Sequence, residues 1–294
     1  QANGRKTKRI VNFINVKSFS FSEEMAKYRL TKLKSFDAHG GLSRDFLDAN
    51  PSLKDEKYSS TRAGRYVVGF IGKHVSGGRW IYSTVPWGTP MLFKQAEKTV
   101  YVQKNGKMIK LSAYNSQWGQ FSDAKIFKAL SDTYMNYYAA IHKKLFPTEW
   151  IFNDFGHVTI KYFKDLNGDF QLNKKETLHS DFLHTTQIDE LTTTYNKTVS
   201  SAFAKPINLV NSHGCIHVKP DSIDELISKG YLEKGSTIEI HPYQPALMVP
   251  NTIEITNANP KKSFEVHFFP LSDKSDKNIS GKGEMVVYTI NKLK

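Results

Sequence analysis

Cysteine is almost absent from this chain: 294 residues contain one, Cys215. A lone thiol excludes an internal disulfide framework and says nothing further about compartment. Long apolar runs are missing as well. None approaches the roughly 20 residues that a membrane-spanning helix requires, so no transmembrane segment is expected. Acidic side chains are in deficit, with 28 Asp plus Glu against 41 Lys plus Arg and a net charge of +13. Such a balance favours polyanionic partners, among them anionic envelope polymers. No Lys/Arg block is interleaved with base-stacking aromatics in a recognisable motif, so nucleic acid is not expected among the partners. Internal repeats and low-complexity tracts are also lacking. The chain opens at Gln1 rather than Met, which leads to the expectation of a processed product with an export signal removed.

What is present describes an ordinary folded chain, 39% apolar and 23% charged, long enough to bury a sizeable core. The 14 Tyr, 19 Phe and 4 Trp suit a β-rich interior. The expected class is a mixed, β-rich α+β fold in three segments. Residues 1–64 read as an N-terminal arm and linker: a basic head (Arg5, Lys6, Lys8, Arg9), a helix over Ser22–Leu33 with Ser22 as N-cap, and a polar linker over Asn50–Thr61. Residues 65–245 form the body. Strands are expected there at Tyr66–Ile71, Trp80–Val85, Thr99–Val102, His157–Phe163, Thr177–His184 and Thr237–His241. Asn105-Gly106 marks a two-residue hairpin. Ile126, Phe127, Leu130, Tyr134, Tyr137, Tyr138, Ile141 and Leu145 keep a helical period that Pro147 ends. A second helix is expected over Pro220–Gly230. Residues 246–294 form a C-terminal β extension with strands at Ile253–Thr256, Phe264–Phe269 and Met285–Ile290.

The chemistry concentrates in Asn211-Ser212-His213-Gly214-Cys215-Ile216-His217-Val218. A thiol is mostly protonated at neutral pH, so a nucleophilic cysteine needs an imidazole to take its proton. It also needs backbone N–H donors for the tetrahedral intermediate, and Gly214 lets the chain turn sharply enough to supply them. His213 and His217 flank Cys215 at two residues each, and an extended segment would place all three on one face. Two plainer readings stand beside this. A lone cysteine can be a small buried hydrophobe, and His213-x-Cys215-x-His217 could begin a metal site completed by His184, His179 or His241.

Ser212-His213-Gly214-Cys215-Ile216 resembles the signature of the L,D-transpeptidase catalytic domain (YkuD) family, which pairs such a segment with an upstream strand histidine. Phe182-Leu183-His184-Thr185-Thr186 resembles that upstream element. The resemblance covers about Arg65 to Tyr243 and implies an L,D-transpeptidase-like β-sandwich or barrel core with a few helices. It implies Cys215 as nucleophile, His184 as general base, and His213 as a site-lining group that helps hold charge. Gly214 and Cys215 would supply the oxyanion hole, with Ser212, Thr185 and His217 contacting substrate. The implied substrates are peptidoglycan stem peptides in a bacterial periplasm or cell envelope, and the products are cross-links, an exchanged terminal D-residue or a trimmed peptide. Two departures are visible. Residues 185–212 make a longer interval than the family usually has, read as an inserted lid or loop with Asp189–Thr198 exposed. The second position after the cysteine, commonly Arg in the family, is His217.

Three further stretches carry signals. Asp165, Asn167, Asp169, Asn173 and Glu176 fall at the oxygen-ligand positions of an EF-hand-like calcium loop. Phe170, however, stands where that loop needs Gly, and Asp-x-Asn-Gly-Asp is equally a turn. Residues 150–157 could line a peptide cleft or form a turn of packed aromatics. His39, His74 and His142 are read as surface or packing residues. Acyl transfer by a thiol requires no cofactor, with Ca²⁺ as an alternative ligand. Two other functions stay open: a catalytically dormant wall-binding module, and a calcium-regulated envelope protein.

Overall fold

The computed structural model describes residues 27–137 and 146–293. The basic head, residues 22–26 of the expected first helix, residues 138–145 of the expected long helix, and with them His142, lie outside them.

The strands are β1 (Tyr28–His39), β2 (Gly64–Gly72), β3 (Met91–Lys94), β4 (Thr99–Lys104), β5 (Lys107–Lys110), β6 (Thr159–Phe163), β7 (Leu183–His184), β8 (Ile216–Val218), β9 (Thr237–Ile240), β10 (Thr252–Ile255), β11 (Phe264–Pro270) and β12 (Lys282–Lys292). The α-helices are α1 (Arg44–Ala49), α2 (Ser52–Asp55), α3 (Asp123–Tyr137), α4 (Gln187–Asn196) and α5 (Pro220–Ser228). The class is a mixed, sheet-rich α+β fold.

Nine strands run in the order β10-β1-β12-β11-β9-β2-β6-β7-β8, and β1 also pairs with β8 through Ala38↔Val218 and His39↔His217. That last pairing closes eight strands into a ring and leaves β10 appended to β1. Closure removes exposed edges from these eight strands. Alternation does the rest. Phe36, Ala38, Tyr66, Val68, Ile160, Tyr162, Leu183, Ile216, Val218, Ile238, Ile240, Val266, Phe268, Met285 and Val287 point inward from every strand of the ring, and Ile223 and Leu226 of α5 pack among them. Helix α5 begins with Pro at its first position and ends before Gly230 at φ +67, as its sequence leads one to expect.

Between β2 and β6 the chain builds a second, smaller core. The β3-β4-β5 sheet, turned at Asn105-Gly106, packs with Ile126, Leu130 and Tyr134 of α3 and with Trp118, Trp150 and Phe152. All three segments expected from the sequence contribute strands to the large sheet: β1 from the arm, β10 to β12 from the C-terminal stretch.

Several local expectations need correction. Tyr28–Leu33 is strand rather than helix, because β1 gains ladders from β10 and β12 on either side and buries Tyr28 and Leu30. These tertiary bonds outweigh local propensity. Trp80–Val85 is not a strand; Ile81–Thr84 forms a 3₁₀ turn. There Thr84 Oγ1 donates back to the Ile81 carbonyl at 2.7 Å, and the indoles of Trp118 and Trp150 donate to Thr84 Oγ1 and the Tyr82 carbonyl. Thr177–His184 pairs regularly only at Leu183–His184. Local bonds among His179, Ser180 and Asp181 interrupt the ladder before it. The Asn50–Thr61 linker contains α2, and its last residues pack beneath the cysteine segment. Asp189–Thr198 is mostly helix α4, with Asp189, Glu190, Leu191 and Thr193 buried rather than exposed.

Candidate active site

Parallel pairing of β7 with β8 sets Leu183 opposite Ile216 and His184 opposite His217. Because Leu183, Ile216 and Val218 face the core, the next residues, His184 and His217, face outward. Their rings meet edge to face at 4.6 Å. Cys215 precedes this strand, and Gly214, at φ +117, supplies a backbone conformation that side-chain-bearing residues rarely adopt. A Cβ at Gly214 would also lie 2.8 Å from Ser59 Oγ.

Cys215, His184, His213, His217 and Ser212 line one pocket of about 350 Å³, together with Trp80, Asp154, Phe155, Thr186, Gln187, Ile188 and Asn211. This volume falls in the usual range for small-ligand sites. The three residues expected on one face therefore share one cavity, although strand pairing begins only at Ile216.

His184 Nδ1 lies 2.6 Å from the Thr185 carbonyl oxygen. A carbonyl only accepts, so Nδ1 carries the hydrogen and Nε2 keeps its lone pair. Burial, with the neighbouring His217, lowers the His184 pKa well below 6.5. Cys215 keeps partial solvent access, yet burial pushes its thiol up to about 12. Asp181 adds to that rise, while the Phe182 backbone N–H and the Lys161 ammonium oppose it. Both partners are thus neutral at rest. Among the described residues no hydrogen bond joins Cys215 Sγ to His184.

The other sequence-selected residues divide. Ser212 Oγ donates to the Cys215 carbonyl at 2.5 Å and accepts from Gly214 N–H at 3.0 Å. Of the two N–H groups expected to form an oxyanion hole, that of Gly214 is therefore engaged, and that of Cys215 is left open among the described residues. His213 stacks on Tyr58 at 4.3 Å. Burial, then Arg79 and Lys277, lower its pKa, so it does not hold charge at neutral pH. His217 Nδ1 donates to the Val210 carbonyl at 2.8 Å, and burial lowers its pKa to about 4. Thr185 does not line the pocket: its hydroxyl turns inward to Glu190. Of the extra ligands named for the metal alternative, His184 lines the pocket, whereas His241 sits against His267 at 3.0 Å and His179 against Asp181, both outside it.

The 150–157 stretch splits between core and site. Trp150 and Phe152 are core, whereas Asp154 and Phe155 line the pocket. Buried Asn153 ties this wall together, donating to the His74 and Val85 carbonyls at 3.0 Å each. Asp154 accepts from Ser83 Oγ at 2.7 Å, and burial raises its pKa. Trp80, Gln187 and Ile188 carry no motif, and only the tertiary fold brings them to the cysteine. His39 is buried, and His74 packs edge-on against Phe155 at 4.5 Å.

In the calcium-like loop, Asp165 accepts from the amides of Asn167, Gly168 and Phe170, and Asp169 from that of Gln171. Glu176 accepts from Leu166 and Asn173, and Asn173 from Lys175. Phe170 takes the positive φ, +59, that a glycine would take. These oxygens cap turns, and no group of three or more His, Cys, Asp or Glu among the described residues is placed to hold a metal ion. No helix among them is long and apolar enough to cross a membrane. Comparison of the chain with protein-family models, with curated proteins and with solved structures finds no match.

Proposed function

We propose that this protein is a cysteine-dependent acyl-transfer enzyme of the L,D-transpeptidase type, acting on peptidoglycan stem peptides in a bacterial periplasm or cell envelope. The observation that carries the reading is the shared pocket of Cys215 and His184, in which the Thr185 carbonyl holds the Nδ1 hydrogen and leaves Nε2 as the basic atom. The closed sheet, with Ile223 and Leu226 of α5 packed into its core, is compatible with the barrel-like core that the motif resemblance implies.

With a neutral thiol and a neutral imidazole, proton transfer accompanies attack. His184 Nε2 takes the thiol proton as Cys215 Sγ bonds to the carbonyl carbon between the L-centre and the terminal D-residue. The Cys215 N–H faces the developing oxyanion. Collapse breaks the C–N bond, and His184 returns the proton to the departing amine, leaving a thioester. An amine acceptor then gives a cross-link or an exchanged D-residue, and water gives a tripeptide. The excess of basic side chains favours retention near anionic envelope polymers.

The test is incubation of the full chain with purified disaccharide-tetrapeptides, followed by mass spectrometry. Wild type is expected to yield dimers or tripeptides and Cys215→Ala neither. Equal products from both proteins, or none from folded wild type, would remove the proposal.

A further inference from the structure

Thr185 adjoins the base, yet its hydroxyl points away from the pocket into a buried polar junction. It donates to Glu190 Oε1, the oxygen that also accepts His157 N–H at 3.1 Å and His157 Nδ1–H at 2.5 Å. The other ring nitrogen of His157 meets Asp224 Oδ1 at 2.8 Å. Thr185 is wholly buried and Glu190 nearly so. Three parts of the chain therefore meet at the junction that holds this threonine: α4 through Glu190, which bonds it directly, the approach to β6 through His157, which bonds Glu190, and α5 through Asp224, which bonds His157. The junction also depends on a missing side chain. At Gly156, φ +65, a Cβ would lie 1.7 Å from Thr185 Oγ1 and 2.7 Å from Glu190 Oε1.

We propose that Glu190, braced by His157 and Asp224, is a positioning residue for His184: by anchoring Thr185 it fixes the carbonyl that selects the Nδ1–H tautomer. The inserted helix α4 is then part of the base's support rather than only a lid. The catalytic consequence rests on the reading of His184 as general base; the structural claim does not.

Electrostatics agree with the geometry. Burial disfavours charge on His157, but Glu190 and Asp224 outweigh it and raise its pKa to about 9. The other charged groups facing this junction are Asp189, which interacts with Glu190, and Lys197, which interacts with Glu190, Asp224 and Asp221. His157 thus stays cationic across neutral pH and keeps its hydrogen bond to the Glu190 oxygen that accepts the Thr185 hydroxyl.

The experiment is ¹⁵N imidazole NMR on the full chain, with His184→Gln assigning the resonance and circular dichroism confirming folding. Wild type is expected to show the Nδ1–H tautomer at His184. Glu190→Gln and Thr185→Val are expected to show mixed tautomers, and Thr185→Ser to restore the wild-type pattern. Should Thr185→Val fail to fold, Glu190→Gln, isosteric with the native side chain, carries the test alone. On tetrapeptide substrate, Glu190→Gln should lower kcat about ten- to hundredfold, as for a misplaced reacting group, with KM nearly unchanged. A folded Glu190→Gln protein with the wild-type tautomer would overturn the inference even if it transfers acyl groups normally. A shifted tautomer in a protein whose wild type transfers nothing would instead sustain the positioning role and remove only the catalytic reading.

Discussion

Burial raises the Cys215 thiol to about 12 and lowers His184 well below 6.5, so the pair does not rest as a thiolate and imidazolium. In the proposed reaction the attack must then form its nucleophile as it proceeds, which places weight on where Nε2 points rather than on stored charge. Alkylation of Cys215 by iodoacetamide should accordingly climb with pH far past neutrality, following the thiolate fraction. A rate plateau with its midpoint near neutrality would contradict this state of the site. The two residues proposed to react were singled out in the sequence: Cys215 by its setting after Ser-His-Gly, and His184 by the resemblance of its segment to a family's upstream strand histidine. The roles of their neighbours were not. His213 looks like a charge carrier until Tyr58, Arg79 and Lys277 are seen around it, and Thr185 looks like a substrate contact until its hydroxyl is found on Glu190.

Among the elements, α4 departs furthest from its sequence. Asp189–Thr198 reads as the exposed part of an inserted loop, yet Thr186 caps a helix there, accepting from Asp189 N–H at 3.2 Å and donating to Asp189 Oδ2 at 2.8 Å. Burial, with Glu190 beside it, raises the Asp189 pKa to about 6. A carboxyl whose folded pKa lies above its unfolded value contributes stability that is fully present below the unfolded pKa of 3.8 and is lost as pH rises through about 6. Asp189→Asn retains the neutral form, so its stability relative to wild type should grow across that window, by ~2 kcal/mol at neutral pH. Urea unfolding at pH values either side of the window measures this; a difference that does not vary with pH would count against a buried Asp189. Helix α5 and the Asn105-Gly106 hairpin were readable because their start and stop residues are local. The strand β1 was not, since its partners Thr252–Ile255 and Lys282–Lys292 come from the far end of the chain.

For the whole molecule, the decisive event is ring closure. Strand β1 from the expected arm pairs with β12 and with β8, the strand immediately after Cys215, so distant parts of the sequence form the cylinder on whose outer face the site lies. Short β-branched and aromatic runs pointed to a β-rich body but carried no information on strand order. The pocket walls outside the cysteine segment, drawn from residues 80, 154–155, 184 and 186–188, likewise arise only from that order. The central claim is that this assembly makes Cys215 a nucleophile toward a stem-peptide carbonyl. The most direct measurement is intact-protein mass spectrometry after brief exposure to disaccharide-tetrapeptide, with peptide mapping of the adduct. The account predicts an acyl adduct, one D-residue lighter than the tetrapeptide, on the peptide containing Cys215, absent from Cys215→Ala and strongly diminished in His184→Gln. An adduct that persists in Cys215→Ala, or consumption of the tetrapeptide by that variant at the wild-type rate, would contradict it.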